Sequence, residues 1–141
     1  MHREVEMDNS VNLVEIFQMF QAQYSQVDKL WNYFGIVSLA VAGFTIGNEK
    51  ATRTIKEPIA IVIGYLAFCV GNYTALIYSH KFLVVLANRY NEKACAYALN
   101  HVKVITVERI SVFYIFVVIT FTLSILIVSY SRLKLKQHDK G

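Results

Sequence analysis

Between residues 10 and 31, Leu13, Phe17, Phe20, Tyr24, Val27 and Trp31 recur at intervals of 4, 3, 4, 3 and 4, while Glu15, Gln18, Gln21, Gln23, Gln26 and Asp28 occupy positions between them. On a helix that spacing gathers the six apolar side chains into one stripe and leaves the rest of the surface polar. It predicts an amphipathic helix over 10–29, capped by Asp8, Asn9 or Ser10. Nothing between Ser10 and Gly35 breaks helical periodicity, so the helix is expected to run on into the next stretch. A helix lying on anionic lipid needs Lys and Arg on its polar face, but here that face is Gln-rich and acidic with Lys29 its only base. The stripe is therefore expected to pack against a partner helix.

The pattern then changes from alternating to continuously apolar. Residues 30–47, LWNYFGIVSLAVAGFTIG, carry no charge, and two similar stretches follow at 59–79 and 110–130. Each is close to the roughly 20 residues needed to cross about 30 Å of hydrocarbon at 1.5 Å per residue. The fold class expected is an all-α integral membrane protein, with three transmembrane helices, an amphipathic N-terminal helix and extramembrane helical extensions. The 141 residues form a single membrane domain ending in a basic tail, 131–141. Composition agrees: 55% of residues are apolar and 17% charged, against about 25% charged in soluble domains. Residues 1–29 hold five acids and lack the basic n-region of a cleavable signal, so the first span is expected to stay in the mature protein.

Small residues mark where helices can approach. Gly43 and Gly47 form one small-xxx-small pair in the first span, with Ser38 and Ala42 on a neighbouring ridge. In the second span Ala67, Gly71, Ala75 and Ser79 follow at intervals of four, beside a shorter Ala60 and Gly64 ridge. Both are read as helix-packing interfaces. Asn72 lies at mid-depth in the second span, where an unpartnered amide is costly, so it is expected to hydrogen-bond to a neighbouring helix. A polar connection, 48–57, with Pro58 suited to a first helical turn, makes the first two spans an antiparallel hairpin. Residues 80–109 contain Arg89, Glu92, Lys93 and Lys103, too many charges for a fourth crossing. They are expected to extend the second span to about Asn91, turn, and form a new helix from about Ala94 with Tyr97, His101 and Val104 on one face. The third span is β-branched, aromatic and free of glycine, and reads as a lipid-facing wall with Tyr130, Arg132, Lys134 and Lys136 as interface anchors.

Chemistry is sparse. Cys69 lies mid-span and Cys95 in the following loop, which argues against a disulfide framework, and Cys95 with His101 falls short of the three or four ligands a zinc site wants. The Asn72-Tyr73-Thr74 glycosylation triplet lies inside a span. No Ser-His-Asp set, phosphate-cradling Gly loop, HExxH or paired intramembrane carboxylate occurs in the sequence. An enzyme, a cofactor, a metal or a nucleic-acid partner is not expected. In size, span number and basic tail the chain resembles class I phage holins in outline, although its long N-terminal helix and 30-residue second loop depart from them.

The function expected is a self-associating binding or assembly subunit, its partners the lipid bilayer, further copies of itself, and another membrane or soluble protein. The alternative is an oligomeric pore, holin-like or of a defence type, with Thr45, Asn72, Thr74, Thr120 and Ser124 as candidate lining. A transporter subunit would call for charged midplane residues, which the spans lack. The location expected is the plasma (inner) membrane, multi-pass. Seven bases lie on each side, but those at 48–57 and 131–141 are packed into 21 residues and those at 1–29 and 80–109 are spread over 59. Density favours the N-terminus outside and the tail inside.

Overall fold

The computed structural model describes residues 2–48 and 54–138, and the side chains of 13–48 and 54–135. It is all-helical: α1 (His2–Gly47), α2 (Lys56–Ala96) and α3 (Val107–His138) follow one another in antiparallel order. All three are long and apolar enough to cross a membrane. Lengths of 46, 41 and 32 residues exceed what one crossing needs. Residues 49–53 of the first connection lie outside the described residues.

α1 continues from its polar half into its apolar half without a break, as the periodicity predicts, but it begins at His2 rather than near residue 10. Arg3, Glu4, Glu6 and Met7 are good helix formers and no Gly or Pro precedes Asp8, so the capping residues do not start the helix. The interval of 3 and 4 set by Leu13 to Trp31 continues through Phe34, Ser38, Val41 and Thr45, all buried or half-buried. This seam faces α2, whose Pro58, Tyr65, Cys69, Asn72, Leu76, Leu83, Ala87 and Ala94 are buried in turn. Spacing near 3.5 keeps one face of each helix on the other along the whole hairpin. α3 packs along the apolar half alone, through Ile110, Tyr114 and Ile125.

Beyond α2 the structure departs from expectation. No helix runs from Ala94 into the third span: residues 97–106 are non-helical and Tyr97, His101 and Val104 share no helical face. α2 ends in a Schellman motif, Leu99 N–H donating to the Ala94 carbonyl (3.1 Å) and Ala98 N–H to that of Cys95 (3.3 Å). Ala98 takes the left-handed conformation there at φ 51°, a position usually held by glycine. The following Val102, Val104, Ile105 and Thr106 are β-branched and favour extended backbone. α3 is rich in similar residues and is nevertheless helical; a segment that crossed hydrocarbon could satisfy its backbone polar groups in no other open-ended way. α2 side chains hold the extended return: Asn91 accepts from Val102 N–H (2.7 Å) and donates to its carbonyl (2.9 Å), and His80 Nε2 donates to the Ile105 carbonyl (2.7 Å). A carbonyl only accepts, so Nε2 of His80 carries the hydrogen of this bond.

Candidate functional site

Two surfaces are candidates: the seam where three helices meet, and the face of α2 turned away from it. The seam centres on Tyr114. Its hydroxyl donates to the Cys69 carbonyl (2.9 Å) and accepts from Asn72 Nδ2 (3.3 Å), tying α3 to α2 at a buried point. Its ring lies 4.4 Å from Phe34, 5.3 Å from Tyr73 and 5.9 Å from Trp31, centroid to centroid. Nearby, the Ser38 and Tyr65 hydroxyls share a hydrogen bond at 2.9 Å between α1 and α2, and Tyr73 donates to Ser111 at 3.1 Å. Each polar group is thereby satisfied in an apolar setting where an unmade bond would be costly.

Asn72 thus meets a neighbouring helix through Tyr114, a residue that the reading of α3 as a plain wall missed. The signal was weak: Tyr114 stands only four residues inside the apolar stretch 110–130, where a Tyr reads as an interface anchor, and it is burial that makes its hydroxyl need a partner. Tyr65, six residues inside 59–79, is buried in the same way. At the opposite end Arg132 donates to the Thr45 carbonyl (3.0 Å) and to that of Ile46, closing the last turn of α1 where the helix dipole favours a cation. Arg132 is therefore a helix-terminus clamp in addition to its place in the basic tail; Lys136 has a side chain outside the described residues.

The N-terminal stripe lies along α2 in the same chain. Leu13, Phe20 and Val27 are buried, Phe17 and Trp31 half-buried, and Tyr24 exposed. Phe17 stands 5.3 Å from Tyr90, and Gln23 Nε2 donates to both the carbonyl and the hydroxyl of Ser79 at 2.8 Å. Trp31 reaches α3 at Phe113, 5.7 Å away.

Ser38, buried against Tyr65 with Ala42 half-buried beside it, and Ser79 belong to the seam, but the other small residues do not. Gly43 and Gly47 are exposed, as are Ala67, Gly71 and Ala75. A Cβ built at Gly43, Gly47, Gly64 or Gly71 would meet nothing within 4 Å. Ser79 differs because a row at intervals of four turns about 40° round the helix at each step, carrying it from the outer face at Ala67 to α1 at Ser79. Of the proposed pore lining, Thr45 and Asn72 are buried inside the chain, whereas Thr74, Thr120 and Ser124 are exposed with hydroxyls bonded to carbonyls four residues back. Among the described residues no three His, Cys, Asp or Glu side chains converge as a metal site would need. Cys95 is exposed and Cys69 buried.

No family model, curated protein or solved structure matches the chain.

Tyr114→Phe removes both hydrogen bonds and strands the Asn72 amide, and should cost about 1–2 kcal/mol. Asn72→Leu leaves the Tyr114 to Cys69 bond in place and should cost less. Unfolding in detergent or bicelles, run as a double-mutant cycle, measures the two and their coupling; equal costs without coupling would contradict the assignment.

Proposed function

We propose that this chain is a multi-pass subunit of the plasma (inner) membrane that self-associates and serves, without catalysis, to assemble or hold a partner. The observation that carries this reading is the open ridge on α2: Ala67, Gly71 and Ala75 are exposed and nothing stands within 4 Å of a Cβ at Gly71. Lipid is no better solvated by glycine than by leucine, whereas a second helix gains from the close backbone approach that small residues permit. The intrachain seam is already complete without this ridge, so its use falls to a neighbouring chain. The pore reading has less support, since two of its five lining residues are spent inside the protomer.

Gly71→Leu and Ala75→Leu should lower the yield of cross-linked oligomer in proteoliposomes while leaving the monomer's unfolding unchanged, because both positions face open space. Oligomers that persist unaltered would refute the ridge as an interface. An ion conductance that Thr120→Leu or Ser124→Leu abolishes would favour the pore instead.

Orientation is proposed as N-out and C-in, on the denser bases at 48–57 and 131–141. Cys95, exposed near the tip of α2, should then react with a membrane-impermeant maleimide on intact cells. Labelling only after permeabilisation would invert the assignment.

A further inference from the structure

The face of α2 that carries the open ridge does not end where the apolar stretch ends. Tyr78, Phe82 and Val85 follow at intervals of 4 and 3, and are 80%, 45% and 48% exposed. Arg89, four residues on, is exposed as well. At 100° per residue this strip and the Gly64, Ala67 and Gly71 positions fall on one side of the helix. α1 meets α2 elsewhere, at Ser79 and Tyr90, and the extended return is held at His80 and Asn91. The strip is therefore covered by neither. Beyond Lys81 it stands past the charge that closes the apolar stretch, so water rather than lipid would bathe Phe82 and Val85.

We propose that a second copy of this chain covers the strip, its α2 parallel to the first, so that the intramembrane contact continues into a two-stranded coiled coil outside the bilayer. The inference rests on the self-association proposed above and deepens it. Two copies crossing the membrane in the same sense are related by a twofold axis along its normal, which sets each α2 beside its counterpart in register. Intervals of 4 and 3 are those of a coiled-coil seam, and the twofold axis along the membrane normal makes this one parallel.

The charges select a second copy over an unrelated helix. Glu92 and Lys93 each lie about 50° from the meridian of the strip, on opposite shoulders and at nearly one height. A parallel twofold pair brings Glu92 of each copy against Lys93 of the other, the placement that e and g residues take in coiled coils. Among the described residues neither forms an ion pair within the chain. Arg89 lies on the meridian, where the twofold brings it towards its own counterpart, and Glu92 on the adjacent shoulder offsets that repulsion.

Disulfide cross-linking of the full chain in proteoliposomes tests this. In a Cys95→Ser background, with Cys69 buried, Val85→Cys should give a covalent dimer on oxidation and Ala22→Cys, exposed on the outer side of α1, should not. Glu92→Lys should weaken the dimer roughly three- to fivefold, and Glu92→Lys with Lys93→Glu should restore it. No Val85→Cys dimer alongside an oligomer that Gly71→Leu disrupts would overturn the extramembrane pairing and leave the intramembrane reading standing. Absence of any oligomer would overturn both. A double charge variant as weak as Glu92→Lys alone would contradict the parallel register.

Discussion

The pairing of α1 with α2 is the constraint on which the rest of this structure depends. One seam, spaced at 3 and 4 residues, runs from Leu13 to Thr45 on α1 and from Pro58 to Ala94 on α2. It changes chemistry along its length without changing geometry. In the apolar half it holds aromatic rings with the Ser38 and Tyr65 hydroxyl pair; in the polar half it holds Phe17 against Tyr90 and Gln23 against Ser79. Burying the stripe of a polar-half helix is driven by water, at about 25 cal/mol per Å² of apolar surface. That drive fades in hydrocarbon, where packing and hydrogen bonds between helices take over. The seam carries the side chains appropriate to each.

Everything else is positioned by that hairpin. α3 has no comparable contact outside the apolar half, and it is tied in at three points: Tyr114 onto Cys69 and Asn72, Tyr73 onto Ser111, and Arg132 onto the end of α1. The extended return from α2 to α3 borrows Asn91 and His80 for its backbone partners. Because the hairpin and α3 satisfy one another within a single chain, the faces left over stand out. Those on α2 combine a ridge of small residues with an apolar strip beyond it, and the proposed assembly follows from that remainder.

Much of this was legible in the chain itself. Three helices long and apolar enough to span a membrane, the unbroken first helix and the partnered Asn72 follow from charge-free length, heptad spacing and the cost of a bare amide. The continuation of the heptad seam past Trp31 was hidden, since a span that is apolar all round shows no moment to read and the buried positions Ser38 and Thr45 are polar. The end of α2 was hidden for a different reason. Its Schellman turn is made with Ala98 in place of glycine, so no residue announces it, and the β-branched run at 102–106 was outweighed by an expectation of helix. The site's centre, Tyr114, went unread because aromatic residues in a span look like lipid contacts until the hydroxyl is asked for its partner.

The central claim is that the hairpin persists as a paired stalk beyond the apolar stretch, instead of α1 folding down onto the lipid surface. Spin labels at Gln18 and Asn88, both exposed and at one level of the hairpin, report on it by pulsed dipolar spectroscopy in nanodiscs. A single narrow distance, that of two adjacent helices, is the result this account predicts. A long or broad distribution would show the polar half of α1 parted from α2 and would contradict it.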